Sequence, residues 1–228
     1  MSIATQQAES RTARFNSLYR YSESVLGSGF DFQQLDCGRC LCQLDYYLTD
    51  TNSIQRLSMS RRTRERGAPL DKCITFGLVL NSKGGMSWNN YCVDESTLLI
   101  FPAGKQFEGI SPAGFVVYTA SFDLESAATL AEQLELKLVV DKIGEQVRAL
   151  RLSPEDVSRV KRLMDCAVGK YHHQDYTQHH LLSELLPSKL LSLLVSEATP
   201  VVPQKITARS RALARATDYI EAHAHTTL

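Results

Sequence analysis

Histidine, cysteine, arginine and the aromatic residues could do chemistry in this chain, and each set is unevenly placed. The six histidines are His172, His173, His179, His180, His223 and His225, so everything before His172 lacks an imidazole. Metal-dependent β-barrels hold first-row ions with imidazoles projecting from strands. A barrel here is therefore not expected to be an enzyme of that kind. His172-His173 and His179-His180 look like a metal cluster, but adjacent helical residues point about 100° apart and no carboxylate or thiol is spaced to complete a site. The competing reading is solvated or capping histidines.

Cys37-Gly38-Arg39-Cys40-Leu41-Cys42 has the spacing of half a zinc knuckle. Its complement is missing, because Cys73, Cys92 and Cys166 stand singly. Cys40 and Cys42 also share parity on a strand, as two buried small apolar side chains would. No Gly-x-Ser-x-Gly elbow, Walker loop or dinucleotide fingerprint is present. No metal, cofactor or catalytic residue is expected, and the chain is not read as an enzyme.

Arg56, Arg61, Arg62, Arg64 and Arg66 form a basic cluster offset by Glu65. It fits a contact for an anionic effector, or the charged solvent face of a sheet. Tyr46, Tyr47, Phe76, Trp88 and Tyr118 fit pocket walls or ordinary core. The candidates for ligand binding are Phe76, Trp88 and Tyr118, with Arg62 or Arg64 supplying polarity. Strand parity alone leaves the inward face open, since a one-residue shift exchanges every assignment.

The elements that would position these groups change character midway. Residues 1–15 are polar and non-periodic, and predict a mobile tail. Residues 40–48, 53–62, 73–80, 96–102 and 115–122 predict strands, rich in β-branched and aromatic residues. In the third of these, Ile74, Phe76, Leu78 and Leu80 alternate with small Thr75 and Gly77, the period-two pattern of a sheet with one packed face. Turn residues fall between the runs, at 81–85, 89–90, 102–104 and 111–114. Short strands at this spacing predict an antiparallel barrel or jelly roll over residues 16–150.

Ser153-Pro154-Glu155-Asp156 reads as a capped helix start. A second helix, over residues 177–197, carries Leu181, Leu182, Leu185, Leu186, Leu190, Leu193 and Leu194, apolar around most of its circumference. It is buried in the domain or across a subunit interface, so residues 151–198 are read as a dimerisation region. Leu181, Leu182, Leu185, Leu190, Leu193 and Leu194 are the candidates, and Pro187 should kink or split the helix. Residues 199–208 predict a stiff linker. Residues 209–228 form an amphipathic helix whose stripe of Leu213, Ala216 and Ile220 has no partner element.

Composition narrows the class. The chain has 228 residues, 43% apolar and 22% charged, with zero formal net charge. That fits a globular α+β protein and gives no global electrostatic case for nucleic acid or membrane binding. No spanning run or secretory h-region is found, and the six cysteines read as reduced thiols in a cytoplasm.

Three stretches, in this order, resemble regulators of the AraC/XylS type, in particular those whose sensing half is similar to ethanolamine-utilisation regulators. They are residues 54–80 (IQRLSMSRRTRERGAPLDKCITFGLVL), 98–122 (LLIFPAGKQFEGISPAGFVVYTASF) and 209–228 (RSRALARATDYIEAHAHTTL). The resemblance implies a cupin-like barrel that binds a small effector, neighbouring helices that form a homodimer, and a helix-turn-helix module that reads DNA. Residues 209–228 look like that module's first helix, and the recognition helices would lie beyond Leu228. The expectation is thus an effector-sensing and dimerisation fragment, with DNA reached only through the missing part. Two other readings are carried: a dimerisation module without a ligand, and a metal-free cupin-like enzyme.

Overall fold

The computed structural model describes residues 9–26, 28–82, 85–136, 148–169, 180–195 and 199–203, together with Ala212, Arg215, Ala216, Tyr219, Ile220 and His223. The fold is α+β: an antiparallel cupin-like jelly-roll barrel with helices against the outer face of its larger sheet. Each strand predicted from sequence is present. β3 is Cys42–Leu48, β4 Asn52–Met59, β6 Cys73–Asn81, β9 Thr97–Phe101 and β11 Phe115–Asp123.

The remaining strands are β1 (Glu9–Phe15), β2 (Ser28–Gln34), β5 (Thr63–Ala68), β7 (Met86–Trp88), β8 (Tyr91–Val93), β10 (Phe107–Ser111), β12 (Arg148–Arg151) and β13 (Thr199–Pro200). The large sheet runs β1-β3-β4-β11-β6-β9-β12-β13 and the small one β2-β5-β10-β7-β8, antiparallel throughout. Turn chemistry sets the hairpins. Asn89 and Asn90 both take positive φ, 43° and 68°, which lets a two-residue turn join β7 to β8 without splaying them.

Two readings of the chain ends are corrected. Glu9–Phe15, within the expected mobile tail, is an edge strand paired with β3, because Phe15 packs in the barrel while its neighbours stay polar. The start of the expected linker, Thr199–Pro200, adds the last strand beside β12, and the Val201 N–H donates to the Ala149 carbonyl at 2.8 Å.

The helices are α1 (Leu18–Ser22), α2 (Leu124–Gln133), α3 (Pro154–Ala167) and α4 (Leu186–Val195). Ser153 caps α3 as its sequence predicts, its Oγ accepting from the Asp156 N–H at 3.1 Å. A π-turn over Leu181–Leu185 leads directly into α4. Pro187 brings no N–H to this stretch, and the Ser188 hydroxyl donates to the Glu184 carbonyl at 2.6 Å. The change of pitch absorbs the proline, and the two segments stay contiguous. At the C-terminus the six described positions are helical, and Tyr219 and Ile220 are each 65% exposed.

The large sheet is buried on both faces, which defines two cores. Towards the helices lie Ile54, Ile74, Phe76, Leu78, Leu98 and Tyr118, packed under Val160, Met164, Leu182, Leu186, Leu190 and Leu193. Towards the small sheet lie Leu44, Leu57, Trp88, Phe101, Phe107 and Phe115. Each fully buried leucine contributes roughly 1.5–3 kcal/mol, so the helix layer is an integral part of the domain.

Candidate functional site

Between the two sheets the odd-numbered face of β6 and β11 leaves room. Thr75, Val117, Thr119 and Ser121 face the space from the large sheet, and all but Val117 are small polar residues. Trp88 and Phe107 face it from the small sheet. Tyr21, Val25 and Leu26, on and after α1, cover one end. Gln55 ties that cover down: its Oε1 accepts from the Leu26 N–H at 2.9 Å and its Nε2 donates to the Leu26 carbonyl at 3.4 Å. The enclosed cavity is about 50 Å³, within about 570 Å³ of space that includes solvent at its mouth.

Aromatic rings make most of the wall. Trp88 stacks on Phe107 with centroids 5.3 Å apart, and Phe101 lies 5.4 Å from Trp88 and 5.1 Å from Phe107. Phe30 meets Phe107 edge-on at 5.6 Å, and Tyr21 meets Phe32 at 5.3 Å. A glycine makes the stack possible. Gly109 sits beside Trp88 in the sheet, and a Cβ there would stand 2.3 Å from indole Cδ1 and Nε1. Only the absence of a side chain lets the indole lie across β10.

On the other side of Gly109, in the same cross-strand row, is Glu65 of β5. It is 2% exposed, and its carboxylate accepts from the Thr63 hydroxyl at 2.8 Å and the Ser111 hydroxyl at 2.9 Å. Burial pushes its pKa up to about 7, against the opposing pull of Ser111, Thr63 and Trp88. The Trp88 N–H lies close enough to favour the ionised carboxylate but falls short of hydrogen-bond geometry. Among the described residues lining the space Glu65 is the single charged side chain, with no lysine, arginine or histidine beside it. The Tyr21 hydroxyl and Thr119 Oγ1 are also buried without a hydrogen-bond partner among the described residues.

The residues singled out from sequence are dispersed. Trp88 lines the cavity. Phe76 and Tyr118 do not: they lie on the opposite face of the large sheet, against the helices, which corrects the expectation that they face inward. Tyr118 spends its hydroxyl on Asp165. Arg62 is exposed, and its backbone N–H donates to Asp36 at 3.0 Å. Arg64 and Arg66 alternate with Glu65 and point outward, to Glu108 at 2.7 and 3.6 Å. Arg64 and Arg66 thus form a charged outer face of β5 and the acid between them is the group that turns in, while Arg56, on β4 of the large sheet, pairs with Asp45 at 3.2 Å. Tyr46 and Tyr47 fall on opposite faces of β3, in different cores.

The helix leucines are similarly corrected. Leu181, Leu182, Leu190 and Leu193 are buried within their own chain, and Leu194 is half-buried, so they are not free to form an interface; Leu185 is 45% exposed. Cys40 and Cys42 are buried with sulfurs 3.5 Å apart, and no group of three or more metal-ligating side chains converges among the described residues. His172, His173 and His179 lie outside the described residues.

No protein-family model matches the chain, and no curated protein matches it. Among solved structures it is similar to the AraC-like transcriptional activator CuxR, at 12% identity and a TM-score of 0.57, over 94% of this chain and 79% of CuxR. It is also similar to ToxT from Vibrio cholerae, at 9% identity and a TM-score of 0.46, over 76% of this chain and 66% of ToxT. A ToxT structure with bound unsaturated fatty acid aligns at 12% identity and a TM-score of 0.44, over 75% of this chain and 64% of that one. At these identities the likeness to CuxR establishes a shared fold. Among the described residues no helix is long and apolar enough to cross a membrane.

Proposed function

We propose that this chain is the effector-sensing and dimerisation part of an AraC-type transcription regulator, binding a small molecule between its two sheets without catalysing a reaction. The observation that carries the reading is the aromatic-walled space around buried Glu65, in a fold shared with an AraC-like activator. A carboxyl inside an apolar box costs stability and does nothing for packing, so its presence calls for a role at that site. In this reading residues 16–150 sense, 151–198 support a homodimer, and 209–228 form the first helix of a helix-turn-helix module that contacts DNA in the cytoplasm.

Strand β11 supplies a route from ligand to helices. Val117, Thr119 and Ser121 touch the cavity, while Tyr118, Ala120 and Phe122 between them touch the helical layer. Ligand contact on one face biases packing on the other, which is the coupling a sensor requires.

The test is a thermal-shift screen of the 228-residue chain against a broad metabolite library. A specific ligand raises the melting temperature in proportion to the logarithm of its concentration, and a crystal with that ligand shows it between the sheets. A library that shifts nothing, or a hit seated elsewhere, sinks the proposal.

A further inference from the structure

The cavity's chemistry is more selective than its apolar walls suggest. Glu65 has two hydroxyl donors and no cation among the described residues that line the space. Buried carboxylates are ordinarily paired, because the charged form loses its hydration and gains little from neutral neighbours. An anionic ligand would add a second negative charge to the same box. A polyol would satisfy only some of its hydroxyls on the few polar groups of the wall and set the rest against rings. A plain hydrocarbon would keep the carboxyl protonated and make no use of it.

We infer that the cavity takes a compact organic cation, its ammonium group against the Glu65 carboxylate and its carbon atoms against the surrounding rings. This deepens the sensing role proposed above and rests on it. Trp88, Phe107 and Tyr21 line the same space as the carboxylate, and a desolvated cation over an aromatic face is held by the ring's negative quadrupole. The orphaned Tyr21 hydroxyl and Thr119 Oγ1 are available as acceptors for ammonium hydrogens. Size sets the rest: about 50 Å³ at roughly 10–15 Å³ per water-sized group holds only a few heavy atoms.

A pH signature accompanies the chemistry. Without ligand the Glu65 carboxyl titrates near 7, and a bound cation requires its ionised form. The groups around it are the Thr63 and Ser111 hydroxyls, the Trp88 N–H of β7, Phe32 of β2 and the Tyr21 phenol of α1, with the Cys40 and Cys42 thiols beyond Tyr21. Burial raises the Tyr21 phenol well above its ordinary value, and burial, together with Cys40, raises the Cys42 thiol to about 12, so both stay neutral through this range.

The experiment is calorimetric titration of the 228-residue chain with ethylammonium, tetramethylammonium, 1-propanol and propionate at pH 8. The ammonium probes should bind at least tenfold more tightly than the neutral and anionic ones, and Glu65→Gln should erase that preference. Because tetramethylammonium does not titrate, its affinity should rise up to tenfold per unit as pH climbs towards 7 and level off above. That profile is read on the wild-type protein, so it stands even if the variant folds poorly. Equal binding of propanol or propionate, a flat profile, or no binding of either ammonium ion overturns the inference. A library hit that binds Glu65→Gln as well as wild type overturns the cation while leaving the sensing role intact; a library with no hit removes both.

Discussion

The Tyr118 hydroxyl donates to Oδ1 of Asp165 at 2.5 Å, with both residues buried. The bond ties the middle of β11 to α3, directly behind the cavity wall formed by Val117 and Thr119. Lys161 donates to the other oxygen of Asp165 at 3.3 Å, so the carboxylate is held from two elements. Burial and then Asp165 raise the Tyr118 pKa far above its ordinary value, so the phenol remains a donor throughout the physiological range.

Tyr118→Phe should therefore destabilise the domain by about 1–3 kcal/mol, the range for leaving a buried charged acceptor short of a donor. Urea denaturation measures it. The cavity faces away from Tyr118, so affinity for a bound ligand should change little, while any ligand-driven change in the helical layer should weaken. A variant as stable as wild type would show that the bond does not hold sheet to helix.

Gly109→Ala should displace Trp88. The new Cβ would overlap the indole at 2.3 Å, and forcing such a contact costs roughly 1–3 kcal/mol. Trp88 is the only tryptophan, so its emission reports the move without labelling. An unchanged spectrum and an unchanged melting temperature would contradict the close approach.

The buried acid has its own effect on stability. The folded Glu65 pKa, near 7, lies above the unfolded value near 4.5, so the folded state holds the proton more tightly. Its contribution is fully present below about pH 4.5 and is lost as pH rises towards 7, a difference of about 3 kcal/mol. Subtracting the stability of Glu65→Gln from wild type, pH by pH, isolates this slope from other titrations. A difference that stays constant between pH 4.5 and 7 would mean Glu65 is not desolvated.

Leu190 and Leu185 should behave oppositely. Leu190→Ala leaves a void under the large sheet and should cost about 2–5 kcal/mol. Leu185→Glu changes an exposed position and should alter folding stability by no more than about 0.5 kcal/mol. If the proposed dimer uses this helix, sedimentation should show Leu185→Glu shifting to monomer. A dimer indifferent to Leu185→Glu places the interface elsewhere.

Much of the barrel was legible because strand and turn signals are local. β-branched runs broken by Asn89-Asn90, Gly104 or Gly114 specify where strands start and stop, whatever lies above or below them. Ser153 and Pro154 announced α3 in the same way. Strands such as Thr63–Ala68 and Phe107–Ser111 carry no such signal, because they are short and bear charges on their outer face. α2 followed β11 without a break in composition, and only its Asp123 cap, accepting from the Ser126 N–H at 2.9 Å, marks the switch.

By itself the sequence determined the order of elements, the turns between them and the alternation within each strand, because these depend on neighbours a few residues away. Which side of that alternation encloses the site was decided only by tertiary structure. In β6 the apolar set Ile74, Phe76 and Leu78 looked like the inner face, yet it belongs to the helices, while on the other face Thr75 lines the cavity and Gly77 lies under the Phe101 and Trp88 rings. A sheet covered on both sides gives no polar face to orient it, and small residues are what an empty space requires. Glu65 follows the same logic. Its neighbours Arg64 and Arg66 made the strand look solvent-exposed, and only the packing of a second sheet, with Trp88 lying over Gly109, turned one acid in a basic run into the single charge among the described residues lining the cavity.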